Sequence, residues 1–293
     1  MINGEPSFTA LTAAAARAAH LIVDREPVIF ADTMAQAMLG ERADELIAYH
    51  RKHGAHPVLA GARAQVTCRS RYTEDSLAAA VERGAAQYVI LGAGLDTFAI
   101  RSPLAGRVRV WEVDHPATQE YKRRVAAAGQ VAYVPVRFGR DSLHRELRCS
   151  GFDFAAPAFA AWLGVTMYLG AGEIEQTLAV LGGFAPGSEL VADYMLPPGL
   201  RDVAGEDYAR QVGQAAAERG EPWVSLFSPT EMAGLLTRHG FGAARDVGQQ
   251  DMVPAAAWQR DDALRPAELS RIAHAFVGSG PGMDGTFQRA GCH

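Results

Sequence analysis

The sequence is poor in cysteine. Three residues, Cys68, Cys149 and Cys292, are scattered over 293 positions. The number is odd and no pair has metal-ligand spacing. That excludes a disulfide scaffold and leaves reduced thiols of a cytoplasmic protein as the expectation. Excess positive charge is also missing: 28 Lys and Arg stand against 33 Asp and Glu, for a net charge of −5. A nucleic-acid partner, which asks for a basic domain, is therefore not expected. No apolar run reaches the ~20 residues that a membrane span requires. The first residues, MINGEPSFTALTAAAARAAHLIV, lack the basic start and dense apolar stretch of a signal peptide. Neither a membrane partner nor an export route is expected, and the expected compartment is the cytoplasm. Metal motifs such as C-x-x-C or H-E-x-x-H are absent. His50, His53 and His56 are the one histidine cluster, read as a solvated helix end, and no metal is expected.

What remains is ordinary globular composition, with 48% hydrophobic and 21% charged residues. A chain of this length buries a full core without staples. Residues 9–23 are Ala-rich and read as a helix. Apolar periodicity predicts further helix over 31–53 and 57–83. From residue 87 the texture changes. Strand candidates are 87–91, 107–113, 131–138, 158–165 and 189–195, with weaker ones at 241–247 and 271–277. Helical patterns at 117–128, 172–181 and 229–239 alternate with them, which implies a parallel sheet covered on both faces. The organisation expected is an N-terminal helical cap over 1–85, an α/β domain over 86–280 and a tail over 281–293. The polar, partly helical stretch 197–225 reads as an insertion that covers a pocket.

Ligands of open α/β sheets lie beyond the carboxyl ends of the strands. The loop after the first strand is Leu91-Gly92-Ala93-Gly94-Leu95-Asp96-Thr97, and its glycines let a ligand approach the backbone closely. The third glycine of the dinucleotide fingerprint is missing, since Thr97 stands there. That disfavours a nicotinamide oxidoreductase. The second strand ends in Glu112-Val113-Asp114. A carboxylate ~20 residues after the glycines can accept hydrogen bonds from a ribose diol. The alternative for Asp114 is a helix cap ahead of Pro116.

With these residues in view, the chain resembles the class I S-adenosylmethionine-dependent methyltransferases of the leucine carboxyl methyltransferase and polyketide O-methyltransferase type. The resemblance runs over roughly residues 15–278. It is carried by Arg69-Ser70-Arg71 with Asp75, GAGLDT at 92–97, EVD-x-P at 112–116, VPV at 134–136 and WLGVTMYL at 162–169. It implies a Rossmann-like fold with a mostly parallel seven-stranded sheet, helices on both faces and an N-terminal helical cap. It also implies S-adenosyl-L-methionine as cofactor and S-adenosyl-L-homocysteine as product. By matched position, Arg71 or else Arg69 would pair with the methionine carboxylate, as guanidinium suits carboxylate geometry. Gly92, Ala93, Gly94 and Gly164 would lie against the cofactor. Asp96 would support the loop or the amino group, and Asp114 would hold the ribose with His115 beside it. Phe138 would stack on the adenine. Two positions depart from the pattern. Arg137 stands where an acidic residue is common, with Asp141 as a nearby substitute. Leu163 stands where a Glu is common.

The acceptor side offers Tyr168 after the fourth strand, Glu173 and Asp193 as candidate catalytic groups. Trp162 and Thr166 share the rim, and Trp223 and Phe227 could roof an acceptor or simply pack in the core. Glu173 has an equally simple reading, a carboxylate at a helix start. The expected activity is methylation of a small molecule, by O-methylation of a carboxylate or hydroxyl in specialised metabolism. The alternatives are C-methylation with Glu173 or Asp193 as base, and a non-catalytic protein that retains the fold. The oligomeric state is left open, with a homodimer as one option.

Overall fold

Ser7 starts the first helix, its Oγ accepting the Ala10 N–H at 3.1 Å. The computed structural model describes residues 6–126 and 130–278. Helix α1 spans Phe8–Val23 and buries its alanine face. The pattern at 31–53 does not form one helix. Gly40 has a φ of +53° beside the Tyr121 ring, so the chain breaks there, and α2 covers only Ala43–His53. Pro57 sets the first turn of the long helix α3, Pro57–Glu82. Helices α1, α2 and the chain between them pack around Leu11, Ala15, Met38, Leu39 and Ile47.

The rest is one seven-stranded sheet. Its strands are β1 (Gln87–Leu91), β2 (Arg109–Asp114), β3 (Val131–Pro135), β4 (Ala158–Trp162), β5 (Glu189–Met195), β6 (Phe241–Gly248) and β7 (Ser270–Val277). The order is β3-β2-β1-β4-β5-β7-β6. The first five strands run parallel, and β7 is antiparallel to both neighbours. β3 and β4 are shorter than their apolar runs. Pro135 lacks the N–H that a longer ladder needs, and Gly164 turns the chain with φ +72°. The helices between strands are α4 (Phe98–Arg101), α5 (Pro116–Val125), α6 (Leu143–Cys149), α7 (Ala171–Gly182), α8 (Val203–Glu218) and α9 (Pro229–Arg238).

Strand alternation distributes the core. Val89 and Leu91 face the layer of α6, α7 and α9, with Leu147, Leu178 and Leu236. Tyr88 and Ile90 face the opposite layer, with Leu77 and Val81 of α3 and Phe98 of α4. Each such aliphatic or aromatic side chain contributes about 1.5–3 kcal/mol on burial. The stretch 197–225 holds α8, which lies on α3. A Cβ at Gly61 would come within 3.1 Å of the Tyr208 ring, so a larger residue there would push that ring back by a few tenths of an ångström. Cys68 is a buried free thiol. Cys292, the tail 281–293 and the expected helix end at 127–128 lie outside the described residues.

Candidate active site

The strand order reverses between β1 and β4, and the loops leaving their carboxyl ends diverge there. Gly92 and Ala93 both donate to the Val113 carbonyl, at 2.8 and 3.1 Å, which ties the glycine loop to β2. Gly92 and Gly94 take φ of +62° and +49°. At Gly92 a side chain is also blocked sterically, since a Cβ would lie 2.2 Å from Val165 Cγ2. The Gly94 N–H donates to Asp114 Oδ2, twenty residues on, and His115 N–H donates to Asp114 Oδ1 at 2.6 Å. Desolvation pushes the Asp114 carboxyl above its usual range, while those two N–H groups pull it back. Asp96 accepts the Phe98 N–H at 2.7 Å and so starts α4. His115 Nδ1 accepts the Ala117 N–H at 3.2 Å, capping α5, and burial lowers its basicity. Phe138 leaves β3 and stacks on Trp162, with ring centroids 6.5 Å apart.

The two arginines of the Arg-x-Arg segment part company. Arg69 turns to the sheet and its Nη1 meets Asp193 Oδ2 at 2.7 Å. Asp193 Oδ1 accepts the Gly164 N–H at 2.6 Å, and the Asp193 carbonyl accepts the Thr166 hydroxyl at 2.7 Å. A Cβ on Gly164 would stand 2.6 Å from Arg69 Nη2, so the guanidinium needs that glycine. Arg71 is placed elsewhere. It is half exposed, its Nε donates to Asp75 at 2.6 Å, and it lines an apolar groove of about 190 Å³ with Ile29 and Val253. One residue of helix turns a side chain by about 100°, which separates neighbours two apart. Arg69 is thus the arginine that the fold brings to the strand ends.

The acceptor-side candidates are also engaged. Glu173 Oε2 accepts the Gly170 N–H at 2.7 Å, so its carboxylate caps α7. Asp193 spends both oxygens on Arg69 and Gly164. Tyr168 packs with Tyr208, Trp223 and Leu226 around Met167 and Met195. Burial pushes its phenol above the usual range. The Trp223 indole N–H is buried near the Tyr168 hydroxyl without reaching hydrogen-bond geometry. This roof is held by main-chain bonds: Val224 N–H to the Met167 carbonyl at 2.7 Å and Phe227 N–H to the Met195 carbonyl at 3.0 Å. Asp141 is paired at the surface with Arg137, which bonds both of its oxygens at 2.8 Å.

One group of residues at the site carries no motif in the sequence. Asp32 is buried and accepts Arg17 Nε at 2.7 Å and the Thr97 hydroxyl at 2.7 Å. Burial works against its charge, yet Arg17, Thr97 and Arg101 hold its carboxyl below the usual range. Arg101 also pairs with Glu74 of α3. With Leu163 these side chains line a small polar cavity beneath the glycine loop. The available signals were Arg17, the single charge within an Ala-rich helix, and Asp32, which follows an apolar Ile29-Phe30 pair.

Among the described residues, no group of three or more His, Cys, Asp or Glu could hold a metal. His50 is buried against Arg63, and His56 caps α3. No helix among them is long and apolar enough to cross a membrane. The site does fit a nucleoside cofactor with a charged amino-acid end. Bare glycine backbone lies beside the Asp114 carboxylate, an aromatic ring follows β3, and the Arg69 guanidinium stands at β4 and β5.

Comparison with known proteins agrees with that fit. The family model for leucine carboxyl methyltransferase matches residues 10–182. YktD of Bacillus subtilis, named as an S-adenosyl-L-methionine-dependent methyltransferase, is 30% identical over 94% of this chain and 99% of its own. SCO7813 of Streptomyces coelicolor, similarly named, is 31% identical over 78% of this chain and 81% of its own. A protein from Thermobifida fusca named as a methyltransferase superposes with a TM-score of 0.58 at 18% identity, covering 94% of this chain and 96% of that one.

Proposed function

This chain belongs to the leucine carboxyl methyltransferase family and is an S-adenosyl-L-methionine-dependent methyltransferase; we propose that it methylates the carboxylate of a small molecule. The cofactor supplies an electrophilic methyl group, and S-adenosyl-L-homocysteine is its product. Asp114 is already oriented by two backbone N–H groups and can accept from a diol. Arg69, held by Asp193, presents a guanidinium for a carboxylate. Alignment of acceptor and cofactor is the main requirement, and positioning alone can contribute ~7–11 kcal/mol.

The observation that carries the choice of acceptor is the engagement of both candidate bases. Glu173 caps a helix, and Asp193 is locked between Arg69 and Gly164. The Tyr168 phenol is pushed further from ionisation by its surroundings. A carbon or alcohol acceptor needs a group that takes a proton, whereas a carboxylate is ionised at neutral pH and needs none. The small size of the acceptor is supported by the roof. Trp223, Leu226 and Tyr208 of α8 pack on Tyr168, and the segment 223–227 is bonded to Met167 in the turn after β4 and to Met195 at the end of β5. This cover leaves little access for a folded partner chain.

The test is turnover with S-adenosyl-L-methionine against matched acceptors: aliphatic and aromatic acids, phenols, and a peptide ending in a leucine carboxylate. Mass spectrometry reads the product. Methyl esters of small acids are expected, with a rate that changes little between about pH 6 and 8. Methylation confined to hydroxyl or carbon, or to the peptide, overturns the proposal.

A further inference from the structure

Three segments of the chain meet at Asp32. Arg17 comes from α1, and Asp32 itself lies in the chain between α1 and α2. Thr97 belongs to the glycine loop, and Arg101 to α4. Asp32 Oδ2 accepts Arg17 Nε at 2.7 Å, and Oδ1 accepts the Thr97 hydroxyl at 2.7 Å and the Met34 N–H at 3.2 Å. Arg101 Nε stands 3.6 Å from Oδ1, and its guanidinium lies over the Phe30 ring at 4.7 Å. Arg17 reaches one step further, donating from Nη2 to the Leu95 carbonyl at 2.7 Å. The glycine loop is therefore gripped from the helical cap at two points, the Leu95 carbonyl and the Thr97 hydroxyl. Ala10 of α1 also sits against Gly94, 3.4 Å from where a Cβ would be.

We infer that Asp32 is a positioning residue for cofactor binding, and that through it docking of the N-terminal cap and binding of S-adenosyl-L-methionine are energetically coupled. Asp32 touches no ligand in this arrangement. It acts through Thr97 and Arg17 on the loop that carries Gly92 and Gly94. A buried carboxylate bonded by the Arg17 guanidinium, the Thr97 hydroxyl and the Met34 N–H sets the loop in one geometry. Coupling of this kind is reciprocal. If a docked cap raises cofactor affinity by some factor, bound cofactor raises cap docking by the same factor.

The experiment uses the full chain and S-adenosyl-L-homocysteine as probe. Calorimetry measures its affinity for wild type, Asp32→Asn and Thr97→Val. Hydrogen exchange follows the amides of residues 8–23 with and without the probe. The expected result is at least a tenfold weaker affinity for Asp32→Asn and at least threefold for Thr97→Val, with kcat at saturating cofactor within about threefold. The probe slows exchange in α1 of wild type at least tenfold, and this protection shrinks in both variants. A purely structural role lowers thermal stability without moving probe affinity, and that result overturns the inference. So does unchanged α1 exchange on addition of the probe to wild type. Should Asp32→Asn fail to fold, Thr97→Val decides, because it keeps the Arg17–Asp32 pair and the Arg17–Leu95 bond and removes the Thr97 hydroxyl with its bonds to Asp32 and Arg101.

Discussion

Replacing Arg69 by leucine removes one half of an ion pair whose partner cannot reach water. The Asp193 side chain is 1% exposed and that of Arg69 13%. Breaking a buried pair from one side costs about 3–5 kcal/mol, since it strands a charge. The residual exposure of Arg69 places the expected loss near the lower end, about 3 kcal/mol. Asp193→Asn should cost less, about 1–2 kcal/mol, because an amide oxygen can still accept the Gly164 N–H and the Arg69 charge left behind, 13% exposed, keeps some access to water. In the double variant the stranded carboxylate is gone. Its loss should therefore fall short of the sum of the two single losses by about 1.5 kcal/mol or more. Urea denaturation at pH 7 measures all three variants against wild type. In thermal scans the Arg69 variant should melt roughly 5–10 °C lower. Additive losses, within about 0.5 kcal/mol, would show that the two groups do not act as a pair and would sink the reasoning.

Other perturbations give equally definite outcomes. Gly92→Ala places a methyl 2.2 Å from Val165 Cγ2 at a positive φ, so S-adenosyl-L-homocysteine affinity should collapse in calorimetry. Adding Val165→Ala should restore part of it by removing the steric half of the problem. Glu173→Ala removes the bond to the Gly170 N–H and should lower stability by about 1 kcal/mol in urea, while kcat stays within about threefold. A larger fall in kcat would return Glu173 to the chemistry. His50 is depressed to about 4, by burial first and then by Arg63. The folded state resists its protonation, so its stabilising effect is complete above about pH 6.5 and is lost as pH falls toward 4, by up to about 3 kcal/mol. Denaturation midpoints of His50→Gln should show a weaker slope over that window.

The sheet was legible because parallel strands are continuous apolar runs. Tyr88–Leu91 and Leu190–Met195 need no context to be recognised. The ends were less legible. The run Val131–Phe138 is largely apolar to its end, and its one stop signal is Pro135, the last residue paired, opposite Asp114. The glycine loop and Asp114 could be found because their spacing is local to one strand-turn-strand unit. Which of Arg69 and Arg71 faces the site could not, since both lie on one helix and the choice depends on how α3 rotates against β5. Asp193 and Glu173 have the residue type of bases, and only tertiary placement reveals their bonds to Gly164 and Gly170. Asp32 escaped notice for the same reason. Its partner in the glycine loop lies 65 residues away, and no periodicity records that contact.

The roof over Tyr168 is fastened by main chain. Val224 and Phe227 give their N–H groups to carbonyls of Met167 and Met195, and the Ser225 hydroxyl adds a bond to the Leu169 carbonyl. Backbone donors are the same whatever side chains the segment carries, except at proline. The attachment is thus largely indifferent to the residues it displays. Trp223 and Leu226 can change while these main-chain bonds stay, and the glycine loop lies outside that exchange. On the proposed reading, acceptor selectivity and methyl donation are separable cassettes. Transplanting residues 219–227 from a relative is a rational first move for redirecting this enzyme to a new acceptor.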